Sequence, residues 1–187
     1  GANMIGGCCG TSPEYISELH LRSAGLAPRS VEYKAYSAVT SSRKTVFLGD
    51  ENPLVVVGER INPTGKKILQ AELKEGSNHE LRRLALEQTE KGAQVLDVNV
   101  GMPGIDEKEA MINAIELLGG ISDAPLSLDS SSPEVLEAAL RIYPGRALIN
   151  SISNEKIKLE KLLPAAAKYG AMFVLLPLSD EGVPETA

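Results

Sequence analysis

The sequence predicts an α/β domain built on a parallel sheet across residues 54–176. Short apolar runs of strand length alternate there with longer segments of helical periodicity. Continuous apolar runs are typical of parallel strands that are covered on both faces. An acid or an amide follows each of the first four runs, at the strand ends where ligands bind in such folds. An open doubly wound sheet and part of an eight-stranded barrel both fit this pattern.

Five apolar runs define the predicted strands, and helices with recognisable first turns separate them. Ser77 has the spacing of a capping box, Asp106 can cap the next helix, and Ser132 precedes a proline at the first helical position. The fourth helix is expected to begin near residues 153–155 and to be kinked or interrupted at Pro164. The runs themselves span residues 54–57, 94–96, 125–128, 146–149 and 172–176.

The residues before the first predicted strand follow a different pattern. Residues 1–10 are typical of a strand end and a glycine-rich loop, and the next helix opens at Ser12-Pro13 and ends at Gly25. Residues 27–52 form a mixed, Ser-rich segment that we interpret as a linker or a strap.

The composition restricts the class of protein and its partners. The chain has 187 residues, 19 basic and 25 acidic side chains and 43% hydrophobic residues, so we expect about one soluble, globular domain. The net charge of −6 argues against nucleic acid as the main partner. The longest apolar stretches, such as residues 171–176, are far shorter than the roughly 18–20 residues of a membrane span. The first residues predict no signal peptide, and we expect no membrane association.

Polar side chains follow four successive predicted strands. In a parallel sheet these ends lie on one face, and a ring of carboxylates and amides there suits a flat, nitrogen-rich heterocycle. Few basic groups accompany them, which argues against phosphate as the main ligand. Each side chain alone is also a common turn residue, but four in register favour a site. The candidates are Glu59 and Asn62 after the first strand, Asp97 and Asn99 after the second, Asp129 after the third and Asn150 after the fourth.

Two of these assignments stay open at the level of sequence. Asp97 and Asn99 cannot both be equally placed in a strict period of two, and we expect one of them to be structural. Glu59 could also simply pair with Arg60 or Lys66.

Cys8 and Cys9 are the two cysteines of the chain, and they are adjacent. Neighbouring Cα atoms lie about 3.8 Å apart, too close for an ordinary disulfide, so we expect reduced thiols in a cytoplasmic protein. Two thiolates could supply two of the three protein ligands of a catalytic zinc ion. His20 lies on the following helix and is a weaker candidate for the third. A small buried cysteine pair is the alternative.

Two groups of motifs resemble the cobalamin-dependent methionine synthase family. The glycine-rich loop resembles the end of that family's homocysteine-binding barrel, and the strand-end motifs resemble its next barrel, which binds methyltetrahydrofolate. The second barrel is shared with corrinoid methyltransferases and, more distantly, with dihydropteroate synthases. The motifs are GGCCGT at residues 6–11, GERIN at 58–62, LDVN at 96–99, LDS at 128–130 and INS at 149–151.

The resemblance covers nearly the whole chain and implies its organisation. Residues 53–187 would be the first part of a (β/α)8 barrel of the TIM type, which binds the pterin. Residues 1–26 would be the last βα unit of the preceding zinc barrel, and residues 27–52 the linker between the two. Five of eight strands are expected in the second barrel. No cobalamin-binding Asp-x-His-x-x-Gly motif occurs in the chain.

The resemblance also implies a chemistry. Cys8, Cys9 and a third ligand upstream of Gly1 would hold zinc, which binds the homocysteine sulfur and delivers a thiolate. The methyl group would pass from N5 of 5-methyltetrahydrofolate to a cobalamin on another domain of the same parent protein, and then to homocysteine. Asp129 and Asn150 would hold the pterin ring as the catalytic pair. The same pocket would be lined by Glu59, Asn62, Asp97 and Asn99.

Two other functions remain open from the sequence. A dihydropteroate-synthase-like enzyme would favour an Asn-x-Thr-Pro-Asp sequence after the first strand, and residues 62–66 read Asn-Pro-Thr-Gly-Lys instead. A folate-binding module without catalysis is the second alternative, against which the cysteine pair and the strand-end acids both argue.

Overall fold

The computed structural model describes residues 4–27 and 36–183, and the chain divides into two compact units between residues 35 and 36. The first unit holds helix α1 (Pro13–Ser23), preceded by the loop that carries both cysteines. Ser12 caps α1, because its side chain accepts a hydrogen bond from the Tyr15 amide. Pro13 takes the first helical position, as predicted.

The second unit contains a five-stranded parallel sheet whose strands neighbour one another in chain order. A doubly wound sheet reverses its strand order at a switch point, so this consecutive order is that of a barrel, present here in part. The predicted α/β barrel class is therefore confirmed. The strands are β3 (Val57–Ile61), β4 (Val95–Val98), β5 (Leu126–Asp129), β6 (Leu148–Asn154) and β7 (Met172–Ser179). The helices are α2 (Lys67–Glu75), α3 (His79–Glu90), α4 (Glu107–Ile121), α5 (Pro133–Ile142) and α6 (Lys156–Tyr169).

The helices bury their apolar stripes against one face of the sheet. Successive strand residues point to opposite faces, so Leu96 and Val98 of β4 and Leu128 of β5 enter this core. The helix residues that enter this core have the spacing of one helical face. In α5, for example, the buried residues are Val135, Leu136, Ala139 and Leu140.

A short antiparallel hairpin covers the start of the opposite face. It consists of β1 (Ala38–Thr40) and β2 (Thr45–Phe47). Val39 and Val46 pack there on Val95 of β4 in a small second core. The hairpin leaves the far end of this face, where the strands terminate, to the polar side chains described below.

The hairpin is fixed to the loop between α5 and β6. The Thr40 amide donates to the Arg146 carbonyl at 2.9 Å, and the Tyr143 hydroxyl donates to the Thr40 carbonyl at 2.9 Å. The same hydroxyl accepts from the Leu126 amide at 2.9 Å, which ties the hairpin to β5. Gly145 lies so close that a Cβ atom there would fall 2.2 Å from the Thr40 carbonyl oxygen.

The structure corrects several predicted boundaries. The first strand begins at Val57 and not at Leu54, which precedes the sheet and is 88% exposed. Ser77 does not cap α3, whose N-cap is Asn78 and has no side-chain hydrogen bond. Helix α6 continues through Pro164. Helix α2 was not predicted.

The predicted linker at 27–52 is only partly described. Residues 28–35 lie outside the described residues, as do 1–3 and 184–187. Residues 36–52 belong to the second unit and contain the hairpin, which the sequence did not predict. None of the helices in the described ranges is long and apolar enough to cross a membrane.

Candidate functional site

Three neighbouring strands bring acids and amides together at their carboxyl ends. Asp129 of β5 is in register with Asn150 of β6, and Val98 of β4 is in register with Leu128. Asn99 follows Val98 and therefore lies at the level of Asp129. Asp97 shares their face of the sheet but lies two residues earlier, about 6.6 Å deeper.

Two hydrogen bonds join these side chains into Asp–Asn pairs. The Asn99 amide nitrogen donates to Asp129 Oδ2 at 2.9 Å, between neighbouring strands. The Asn150 amide nitrogen donates to Asp97 Oδ1 at 3.1 Å and spans β5 to do so. Ser127, in register with Asp97, is the small residue on β5 over which Asn150 reaches.

Asp97 and Asn99 lie on one face of the sheet but at different depths, so they are not equally placed. Asp97 is 4% exposed, whereas Asn99 is half-buried at the rim. Burial raises the pKa of Asp97, hydrogen bonds from Ser127 and Asn150 oppose this, and the charges of Asp129 and Glu59 add to it. The charges of Asp129 and Glu59 therefore both act on Asp97.

Glu59 and Asn62 come from β3, where the ladder to β4 is irregular between Gly58 and Ile61. Glu59 lies inside the strand and not after it, and accepts a hydrogen bond from the Asn62 amide nitrogen at 3.0 Å. The Asn62 side-chain oxygen, Oδ1, in turn accepts from the Thr64 amide at 3.0 Å. The alternative pairing of Glu59 with Arg60 or Lys66 is not seen among the described residues.

Gln88 of α3 supports the irregular part of β3. Its side-chain oxygen accepts from the Arg60 amide at 2.6 Å, and its nitrogen donates to the Leu84 carbonyl at 3.1 Å. Gly58 allows this approach, since a Cβ there would lie 2.7 Å from the Gln88 oxygen. Gln88 thus helps to hold the backbone segment that carries Glu59.

Glu107 and Ser130 lie at the same end of the sheet, and neither was among the candidate residues predicted from the sequence. The Ser130 hydroxyl donates to Glu107 at 2.5 Å and accepts from the Ser132 amide at 3.1 Å. The Glu107 carboxyl group also lies close to Gly101, since a Cβ there would be 3.2 Å from the Glu107 Cδ atom, and the Gly101 amide donates to Asn99 Oδ1 at 2.9 Å. Glu107 therefore ties together the loops that follow β4 and β5. In the sequence it looks like an ordinary acid in the first turn of a helix.

The site presents hydrogen-bond acceptors to a ligand. Asn62 and Asn99 use both ends of their amides within the protein. In the described part of the chain, Asp129 Oδ1, Asn150 Oδ1 and one Glu59 oxygen have no hydrogen-bond donor. No ion pair among the described residues involves Glu59, Asp97 or Asp129. A bound group rich in N–H donors, or carrying a positive charge, would match this surface.

The two cysteines lie in the first unit and are exposed free thiols. The loop turns because the Thr11 amide and hydroxyl both donate to the Cys8 carbonyl, at 3.1 and 2.6 Å. Gly7 allows the turn, since a Cβ there would fall within 2.4 Å of the Thr11 side chain. Two thiols suit zinc, but within the described residues no group of three His, Cys, Asp or Glu side chains could hold a metal ion. A zinc site would need a further ligand from elsewhere.

Comparison with known sequences agrees with the motifs. A family profile described as pterin binding enzyme matches residues 58–186. The chain is 31% identical over 199 residues to methionine synthase from Mycobacterium leprae (strain TN), which confirms the predicted resemblance. The match covers 100% of this chain and 16% of that relative, so the chain spans about a sixth of the curated relative's length.

Comparison with solved structures supports the fold alone. The 7,8-dihydropteroate synthase from Vibrio fischeri ES114 matches with a TM-score of 0.52 and 23% identity, over 80% of this chain and 52% of that one. Dihydropteroate synthase from Xanthomonas albilineans matches with a TM-score of 0.52 and 22% identity, over 77% and 52%. The match to about half of each enzyme agrees with a barrel that is present in part.

Proposed function

The chain belongs to the family of pterin-binding enzymes, and from that membership we propose that it is the folate-binding segment of a cobalamin-dependent methionine synthase. The reaction would move the methyl group of 5-methyltetrahydrofolate by way of cobalamin to homocysteine, giving methionine and tetrahydrofolate. Residues 53–187 would form the first part of the pterin barrel and residues 1–26 the end of the homocysteine barrel. Residues 27–52 would connect the two.

The observation that carries the proposal is a set of acceptors on β3, β5 and β6 that have no hydrogen-bond donor among the described residues. A reduced pterin has a 2-amino group and ring N–H groups that match such acceptors. Asp129, with one carboxylate oxygen held by Asn99, offers its other oxygen to this donor edge. Asn150 offers its carbonyl oxygen beside it. Glu59 and Asn62 would complete the pocket.

The same charges would assist the departure of the methyl group. N5 is a poor leaving group unless it is protonated or strongly hydrogen-bonded. Carboxylates favour a positive charge on N5, and Glu59 and Asp129 both lie near enough to Asp97 to raise its pKa. None of the three makes an ion pair among the described residues. These residues would therefore stabilise the protonated form of the folate, in which the methyl group is transferable.

Two further groups belong to the proposed reaction. Cys8 and Cys9 would be two zinc ligands, and zinc would supply a homocysteine thiolate at neutral pH. Cobalamin, carried on a domain outside this chain, would be the methyl carrier. Within this chain the residues that act are those that bind and orient the folate and the thiols that hold the metal.

The test is a calorimetric titration of 5-methyltetrahydrofolate into the intact protein, followed by a turnover assay with homocysteine and cobalamin. Saturable binding with methionine formation supports the proposal. Binding without turnover would favour a folate-binding module. Condensation of a pterin diphosphate with 4-aminobenzoate would favour a dihydropteroate-synthase-like enzyme, whose expected Asn-x-Thr-Pro-Asp sequence is absent at residues 62–66.

Replacing Cys9 by serine tests the zinc assignment separately. We expect the zinc content of the intact protein to fall to well under half, because a serine hydroxyl is a far poorer zinc ligand than a thiolate. Methionine formation should fall with it, while folate affinity stays unchanged. Metal analysis and folate titration of the same preparation measure both. Equal losses of zinc and folate binding would mean that the cysteines are structural.

A further inference from the structure

Asp97 differs from the other acids of the site because it lies below the rim, where a ligand would bind. Its side chain lies beneath the level of Asn99, Asp129 and Asn150 and is almost completely buried. The Asn150 amide nitrogen donates to it at 3.1 Å, and Ser127 lies in register beside it. No salt bridge in the described part of the chain involves it. Its contacts are therefore with the protein and not with solvent.

This contact decides which end of the Asn150 amide faces the ligand. An ionised carboxylate can only accept hydrogen bonds, so it binds the nitrogen of the amide and never the oxygen. With the nitrogen bound to Asp97 at 3.1 Å, the carbonyl oxygen of Asn150 remains without a donor among the described residues. Without Asp97 the amide could turn over and offer its nitrogen instead.

We propose that Asp97 is a positioning residue that makes the site selective for reduced pterins, by fixing Asn150 as a hydrogen-bond acceptor. This inference rests on the proposed function of the site. A tetrahydropterin carries an N–H at ring position 8, and another at position 5 when that nitrogen is protonated. A fully oxidised pterin has bare nitrogens at both positions, and they can only accept. An acceptor at Asn150 therefore accepts a hydrogen bond from the reduced ring. With the oxidised ring, the same oxygen would face a ring nitrogen that is also an acceptor, and no hydrogen bond could form.

Selectivity for reduced pterins does not require Asp97 to contact the ligand. Register places Asp129 beside Asn150 at the rim, where both can contact a ligand, and places Asp97 beside Ser127 one layer below. The role of Asp97 thus differs from that of Asp129, although both are strand-end acids in the sequence. A substitution at position 97 is expected to alter ligand choice, whereas one at position 129 should weaken all pterins.

The test compares 5-methyltetrahydrofolate with folic acid, an oxidised pterin, as ligands of the intact protein. We expect Asp97→Asn to bind 5-methyltetrahydrofolate about 10- to 100-fold more weakly and to shift the ratio of the two affinities toward folic acid. The double variant Asp97→Asn with Asn150→Asp reverses the pair. The new amide at position 97 then donates to the new carboxylate at position 150, which again presents an acceptor. We expect it to recover most of the lost affinity and selectivity.

Two results would overturn the inference while leaving the proposed function standing. One is an equal loss of affinity for both ligands in Asp97→Asn, and the other is a double variant no better than the single one. If the unaltered protein does not bind 5-methyltetrahydrofolate at all, the proposed function itself is wrong. Asp123→Asn, an exposed acid at the opposite end of β5, is the matched control and should change neither affinity.

A measurement without any variant decides the question if Asp97→Asn does not fold. A structure of the unaltered protein with 5-methyltetrahydrofolate should show Asn150 Oδ1 within about 3.2 Å of a ring N–H and Asp97 still bound to the Asn150 nitrogen. A ligand atom hydrogen-bonded directly to Asp97 would contradict a positioning role.

Discussion

Replacing Asp129 by alanine is expected to weaken binding of 5-methyltetrahydrofolate about 100-fold or more, because a charged acceptor for the N–H groups of the ligand is lost. The same change leaves the Asn99 amide nitrogen without its partner, which adds to the loss. The sheet should stay folded, since Asp129 is the last residue of β5 and lies at its rim. Calorimetric titration of the intact protein measures the affinity, and circular dichroism reports on the fold.

Asp123→Ala is the matched control for this experiment. Asp123 precedes β5 at the other end of the strand, is exposed, and its carboxylate pairs with the surface residue Arg43 at 2.9 Å. An exposed pair contributes about 0–1 kcal/mol to stability, so this variant should bind folate normally. An Asp129→Ala protein with unchanged affinity would remove the pterin pocket from the carboxyl ends of these strands.

Replacing Gly145 by alanine is expected to destabilise the second unit by about 1–3 kcal/mol. The new Cβ would lie 2.2 Å from the carbonyl oxygen and 2.9 Å from the carbonyl carbon of Thr40. Both are backbone atoms of the hairpin, so the hairpin must move away and loses its bonds to Tyr143 and Arg146. Hydrogen exchange at the Thr40 amide measures this directly, because that amide donates to the Arg146 carbonyl.

Gly120→Ala provides the contrast. Gly120 lies within α4 and has open space where a Cβ would be added. Alanine is a better helix former than glycine, so this change should stabilise the helix by about 0.5–1 kcal/mol. Unchanged exchange at Thr40 in Gly145→Ala would show that the hairpin is not held where the structure has it.

The sequence predicted the elements whose signals are local. The N-caps Asp106 and Ser132 each accept the expected hydrogen bond from a first-turn amide. Helix α2 was missed because its N-cap, Lys66, makes no side-chain cap bond and leaves no start signal. The hairpin was missed because its strands have three residues each and are stabilised by contacts far along the chain.

The apolar run at 54–57 was a misleading signal for the first strand. Its first three residues precede β3, which begins at Val57 and continues with Gly58, Glu59 and Arg60. An irregular strand braced by Gln88 does not show the usual apolar pattern, so only its neighbours in the sheet could reveal it.

The candidate site could be predicted as a set of residues but not as an arrangement. Strand-end acids and amides are visible in the sequence at Asp97, Asn99, Asp129 and Asn150. Which acid binds which amide depends on strand register and depth, and these are properties of the sheet. For the same reason Glu107 was missed, since its partner Ser130 is 23 residues away.

The bonds that fasten the hairpin also set an order of events during protein synthesis. Thr40 is joined to Tyr143 and Arg146, which follow it by 103 and 106 positions. A ribosome that adds about 5–20 residues per second makes the anchoring loop roughly 5–20 seconds after the hairpin. Through that interval the apolar side chains of Val39 and Val46 have no complete surface to cover. The nascent chain therefore exposes this patch until β6 emerges, which is the period in which a chaperone would be of most use to it.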